Sequence, residues 1–379
     1  MIPTRPYRLL LNRNHGIPGM VVLPEAGFRR ARAEITNWPD YAPTPLLALP
    51  EVASAARVAT VHYKDEAGRF GLGSFKALGG AYAVKQVLVA ALAKRGLAPL
   101  AIAEALSKGA APRLTVTCAT DGNHGRSVAW GARRCHAACV IFVHEHVSQA
   151  RRDAIAAHGA EIRVVPGNYD DAVRAAQATA DRESWLLVSD TSYPGYTGVP
   201  REVMQGYRVM VEEALVALPE APTHCFIQGG VGGLAAAVAV QLRAHGETRL
   251  IVAEPENAAC LQASCEAGEL TTVDGALNTV MAGLACGEPS LLAWQELSRS
   301  AWGFMALPDA SAVDCMRLLA ARQPPVVAGE SAVAGLAALL LAAREPFARA
   351  ALGLDETSRI LLFGTEGATD PPLYAKLIG

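Results

Sequence analysis

The chain has 379 residues, of which 51% are hydrophobic and 18% charged, with a formal net charge of -2. Such a length exceeds one compact core of ordinary size and predicts two domains. The near-neutral balance excludes a protein built to hold nucleic acid or an anionic membrane surface by charge.

Taken from the N-terminus, "MIPTRPYRLLLNRNHGIPG" has no sustained apolar region before a small-residue cleavage site, so no secretory leader is expected. Residues 69–82, "RFGLGSFKALGGAY", place one lysine, Lys76, among small, apolar and glycine residues at the start of a helical pattern. A surface lysine is the ordinary case, whereas one held in an apolar setting has a depressed pKa and becomes a nucleophile. Further on, "LTVTCA", "ACVIFV", "EIRVV" and "WLLVSD" read as strands. They are separated by helical patterns such as "SQARRDAIAAHG", which Ser148 can cap and Gly159 can end.

The second half repeats the scheme with "HCFIQ", "RLIVAE", "GFMAL" and "RILLFG". Strands that are apolar at nearly every position, alternating with helices, predict largely parallel sheets covered on both faces. The fold class expected is α/β, with two parallel-sheet domains and the active site in the cleft between them. The turn-rich "DTSYPGYTGVPREV" is the expected crossing between domains. The apolar run at residues 331–343, "SAVAGLAALLLAA", is too short to span a bilayer and predicts a buried helix, so no membrane partner is expected.

Eight irregularly spaced cysteines read as reduced thiols, which suggests a cytoplasmic protein. In "CHAACVIFVHEH", Cys135, His136, Cys139, His144 and His146 offer metal-ligand chemistry, but strand alternation would scatter them, so no metal site is expected.

Two strand-to-helix junctions carry candidate chemistry. In "TCATDGNHGRSVAW" a strand opens into Asp121, Gly122, Asn123, His124 and Gly125, where free N–H groups and a helix dipole converge on anions. In "HCFIQGGVGGLAAAVAV" the glycines 229, 230, 232 and 233 join a strand to a helix. Gly230, Gly232 and Ala235 also fit a G-x-G-x-x-A pattern, with Glu254 at the spacing a dinucleotide site uses for its ribose. This segment alone leaves a dinucleotide site and a single-phosphate site equally open. Asp121 and Asp190, taken alone, read as caps of a helix and a turn.

Together, "GSFKALGGAY", "TDGNHGR", "QGGVGGLAAA" and "GTEGATDP" resemble, in that order, the fold type II pyridoxal phosphate enzymes, the family of threonine dehydratase and tryptophan synthase β. Within it, "KDEAGRFGLGSFKALGG", "DTSYPGY", "VMQGY" and "MAGLACGEPS" are most similar to the diaminopropionate ammonia-lyases. Gly73, Ser74, Tyr193, Pro194 and Ala368 depart from that pattern.

The resemblance implies pyridoxal 5'-phosphate as cofactor, held by Lys76 as a Schiff base in apolar surroundings that keep the amine un-ionised. It also implies Phe75 as a wall of the site and Asn123 on the ring hydroxyl. The N–H groups of Gly230, Val231, Gly232 and Gly233 would take the phosphate, and Thr365 would face the pyridine nitrogen. It makes Asp121 and Asp190 the catalytic carboxylates and His124 a structural brace. The implied organisation is a large cofactor-binding domain, residues 1–84 and 195–379, and a small domain, 85–194, carrying the asparagine loop.

The implied activity is α,β-elimination of D- or L-2,3-diaminopropionate to pyruvate and ammonia, a small amino-acid substrate handled by a homodimer. Serine, threonine or hydroxyaspartate dehydration is the alternative on the same fold. A dinucleotide-binding oxidoreductase and a noncatalytic amino-acid sensor are the others.

Overall fold

The computed structural model describes residues 2–109 and 114–379. They form two compact units: residues 1–24, 42–75 and 207–379 make the first, residues 25–41 and 76–206 the second. The expected division at residues 84 and 195 does not coincide with these units, because Lys76 already opens a helix whose packing partners lie in the second.

In chain order the first unit supplies β1 (Arg8–Leu11), β2 (Leu46–Ala48) and β3 (Thr60–Asp65). The second holds β4 (Thr115–Ala119), β5 (Ala138–His144), β6 (Glu161–Val165) and β7 (Leu186–Leu187). The first then resumes with β8 (His224–Gln228), β9 (Arg249–Pro255), β10 (Gly303–Leu307) and β11 (Arg359–Gly364).

The sheet of the first unit has the order β1-β10-β9-β8-β11-β3-β2. Its five inner strands run parallel, and β1 and β2 pair antiparallel at the two edges. Every residue of β8 and β10 is buried, which explains the unbroken apolar sequence of β10 and the apolar centre of β8 between His224 and Gln228. The Ala334–Ala342 helix is buried at all nine positions and packs on β8 and β9, as the 331–343 run predicts. Among the described residues no helix is long and apolar enough to cross a membrane.

Beneath this sheet lies a buried ionic network. Glu213 accepts from Lys64 Nζ at 2.6 Å and from Arg69 Nη2 at 2.7 Å and Nη1 at 2.9 Å. Arg69 also grips both oxygens of Glu66, at 2.8 Å each. All four side chains are at most 5% exposed, so each charge relies on the others in place of water. The network anchors the stretch that leads to Lys76, whose last residues are stitched to the end of β11: Phe75 N donates to Thr365 O at 3.0 Å and Gly367 N to Gly73 O at 2.9 Å.

The sheet of the second unit is wholly parallel, in the order β6-β5-β4-β7. The Ala77–Lys94 helix and the Asn123–Arg134 helix pack closely in this unit. A side chain at Gly80 would run into Ser127 Oγ at 1.9 Å, and one at Gly131 into Ala81 Cα at 2.6 Å. Gly80 behind Lys76 and Gly131 on the partner helix therefore serve helix contact, which fixes the helix that carries the amine.

Candidate active site

In open parallel sheets ligands gather beyond the carboxyl ends of the strands. In the second unit the residues following β4, β5 and β7 converge there. Because β4 pairs with β5 as Ala119↔Phe142 and with β7 as Thr117↔Leu187, the chain beyond β4 runs between the exits of both neighbours. That register brings His144 to Asp121 on one side and carries Asp190 up on the other.

Lys76 is the residue immediately before the Ala77–Lys94 helix. Its Nζ lies 2.7 Å from Asp190 Oδ2, with side chains 21% and 14% exposed. The surroundings of the amine are thus not purely apolar, as the sequence implies, since a carboxylate at this distance favours the ammonium. Burial works to raise the Asp190 carboxyl, but the opposing charges of Lys76 and His124 outweigh it and hold it well below the usual carboxylate range.

His124 is buried and braces this arrangement. Its Nε2 lies 2.7 Å from Val188 O, and only a protonated nitrogen can satisfy that carbonyl, so Nε2 carries the hydrogen. Nδ1 then faces Asp190 Oδ2 at 3.7 Å. Burial, ahead of the repulsion from Lys76, lowers the His124 pKa, against a partial pull from Asp190.

Asp121 is not needed as a helix cap. Thr120 Oγ1 accepts from Gly122 N and Gly125 N, each at 3.0 Å, and so satisfies the first turn of the Asn123–Arg134 helix. The Asp121 carboxylate is left for His144, whose Nε2 sits 2.8 Å from Oδ1. Asn123 stands at the first position of this helix, half-buried.

In the first unit, the neighbouring parallel strands β8 and β11 end together, which sets the glycine loop beside Thr365. Gly232 has φ +94, a left-handed conformation that glycine adopts without strain. It precedes the Gly233–Arg243 helix. Among the described residues the N–H groups of Gly230, Val231, Gly232 and Gly233 have no backbone acceptor, which leaves four donors at a helix start where the dipole also favours an anion.

Thr365 is buried, and its hydroxyl accepts from Gln228 Nε2 at 2.7 Å. A hydroxyl that already accepts keeps its proton to donate, which suits an unprotonated ring nitrogen. Phe75 is also buried, its ring packed on Tyr207 with centroids 4.6 Å apart. Within the first unit, the loop donors and the poised hydroxyl have the chemistry that the phosphate and ring nitrogen of pyridoxal phosphate require; within the second, Lys76 has the amine that its aldehyde requires.

Glu254 does not fit a ribose. It is fully buried and its two oxygens accept from Leu261 N at 2.7 Å and Gln262 N at 2.8 Å, the first turn of the Cys260–Ala267 helix. Burial, ahead of the two hydrogen bonds that oppose it, pushes its carboxyl up to about 8.

A family model for the pyridoxal-phosphate dependent enzymes matches residues 38–354. The chain belongs to that family. It is 37% identical over 350 residues to the diaminopropionate ammonia-lyase of Escherichia coli (strain K12), covering 89% of this chain and 87% of the relative. The Salmonella typhimurium diaminopropionate ammonia-lyase is 37% identical over 365 residues, covering 90% and 89%.

The crystal structure of holo diaminopropionate ammonia lyase from Escherichia coli superposes with a TM-score of 0.91 at 34% identity, covering 100% of this chain and 98% of that one. The pyridoxal-phosphate-dependent ammonia-lyase family therefore accounts for the whole chain, and the dinucleotide reading of the glycine loop is set aside.

Sequence reasoning overlooks two polar groups at these strand exits, one in each unit of this ammonia-lyase. Gln228 is the last residue of an apolar strand, and a polar side chain ending such a strand is the available signal. His144 stands at the end of β5, where parallel pairing with β4 puts it level with Asp121.

Proposed function

We propose that this ammonia-lyase catalyses the α,β-elimination of 2,3-diaminopropionate to pyruvate and ammonia, with Lys76, Asp121 and Asp190 as its catalytic groups. The observation that carries the reading is the placement of two carboxylates at the exits of neighbouring strands, one of them 2.7 Å from the lysine amine. A dication-forming diamino acid is the substrate such a pair would attract and deprotonate.

Pyridoxal phosphate, when bound, supplies the electron sink that takes up the electron pair left at Cα. Lys76 provides the amine for its attachment, Asn123 a donor for its ring hydroxyl, and Phe75 a wall. The loop at Gly230, Val231, Gly232 and Gly233 supplies phosphate donors. Thr365 donates its hydroxyl to the pyridine nitrogen without protonating it, which keeps the sink modest and suits a reaction whose leaving group departs at once.

Asp190, beside Lys76 Nζ, accepts or returns the proton on the lysine side. Asp121 serves the opposite face, so that each carboxylate removes the Cα proton of one enantiomer. The carboxylates also draw in the cationic side amine, which leaves as ammonia.

Asp121→Asn is expected to reduce kcat on the D isomer by roughly a hundred-fold, the lower range for removing a general base, with a much smaller loss on the L isomer. Initial rates of pyruvate release from the two isomers check this, and equal losses would defeat the two-face assignment.

The domain roles, with the large domain holding the cofactor and the small domain the asparagine loop, belong to the same proposal. So do the homodimeric assembly and the cytoplasmic location. Sedimentation of the purified holoenzyme tests the dimer.

A further inference from the structure

We infer that His144 is the positioning residue for Asp121, fixing which carboxylate oxygen meets the substrate. This rests on the reading of Asp121 as the base for one isomer. His144 Nε2 lies 2.8 Å from Asp121 Oδ1, with side chains only 17% and 26% exposed. A carboxylate offers no proton, so the hydrogen bond places one on Nε2.

The rest of the ring enforces that tautomer. Nδ1 is buried and has no hydrogen-bond partner, so a proton there would be stranded without an acceptor. The imidazole thus presents its N–H to Asp121 in one fixed form. Among the described residues Asp121 Oδ2 has no hydrogen-bond partner, and it is the oxygen left to reach Cα.

The backbone geometry supports a deliberate pairing. Thr120 caps the helix and so frees the carboxylate, and the β4–β5 register delivers His144 from a different strand. The His146 ring stands edge-on to that of His144, with centroids 5.8 Å apart. Asp190 has no matching brace, because the His124 Nδ1 that faces it at 3.7 Å carries no hydrogen when Nε2 donates to Val188 O, so the imidazole clamp is particular to Asp121.

The test compares His144→Ala, His144→Gln and Asp121→Asn in the holoenzyme with D- and L-2,3-diaminopropionate. His144→Ala is expected to lower the D-to-L ratio of kcat roughly ten-fold, the scale of removing a group that orients a catalytic ligand, with KM for the D isomer nearly constant. His144→Gln, whose amide N–H can reach the same oxygen, restores most of the ratio. Nitrogen-15 spectra of histidine-labelled enzyme should show the Nε2–H tautomer at His144, with a resonance that moves in Asp121→Asn.

An unchanged ratio in His144→Ala, or an Nδ1–H tautomer, overturns the inference while Asp121→Asn still loses the D isomer selectively. If Asp121→Asn itself loses both isomers equally, the parent reading falls and takes this one with it.

Discussion

Lys76→Ala is expected to lower pyruvate release by roughly a thousand-fold or more, the scale on which loss of a nucleophile or base acts. The side chain is the attachment point for the cofactor and the partner of Asp190, so truncation removes both functions together. Borohydride treatment followed by peptide mapping should label the peptide containing residue 76 in the wild type and leave no label in the variant. The Ala77–Lys94 helix keeps its contacts through Gly80 and Ala81, so the far-ultraviolet circular dichroism should match that of the wild type. Retention of turnover within ten-fold would remove Lys76 from the mechanism.

Glu213→Gln is expected to destabilise the protein by about 3–5 kcal/mol, because it strips one partner from a buried pair and leaves Lys64 and Arg69 sharing Glu66 alone. The effect has a predictable pH dependence. Burial favours the neutral Glu213 carboxyl, but hydrogen bonds and charge from Arg69, with Lys64, prevail and hold its pKa below the ordinary 4.5.

A carboxyl lowered on folding contributes stability that is complete above its unfolded pKa and is lost as pH falls through the folded value. The gap between wild type and Glu213→Gln should therefore be widest near neutrality and narrow below about pH 4.5. Urea unfolding at neutral and acid pH measures it. A gap that is constant, or that widens in acid, would show that the network is not charged as drawn.

Much of the fold is legible because burial leaves a direct mark on composition. Strands β8 to β11 are central or nearly so in their sheet, covered on both sides, and their sequences are apolar except at or next to their ends. Strand β3, "TVHYKD", is equally central but escapes notice because Lys64 interrupts it. Its charge is tolerated only because Glu213 arrives from a helix some 150 residues later, which no local pattern announces.

The expected strand "WLLVSD" shrinks to Leu186–Leu187 for a related reason. Tyr196 folds back, its hydroxyl donating to Leu187 O at 2.8 Å and accepting from Ser189 N at 3.1 Å, so side-chain bonds replace the ladder. Edge strands β1 and β2 are half-exposed, and their apolar runs of three residues are too short to stand out as strands.

The candidate site is legible where chemistry demands an unusual residue. A lone lysine before paired glycines and a glycine-rich strand exit stand out against any background. Partners supplied by tertiary pairing do not. The carboxylate beside Lys76 lies 114 residues further on, and His144 reads in sequence as a possible metal ligand until the strand register sets it against Asp121. Glu254 shows the converse, since its spacing mimics a ribose ligand while its oxygens close a helix turn.

The central claim is tested most directly by an absorbance spectrum of the purified holoenzyme before and after borohydride, followed by assay with D- and L-2,3-diaminopropionate. The account predicts a visible band that borohydride abolishes, label on Lys76, and release from both isomers of twice as much ammonia as pyruvate. A borohydride-sensitive band with no pyruvate from either isomer would contradict the proposed elimination.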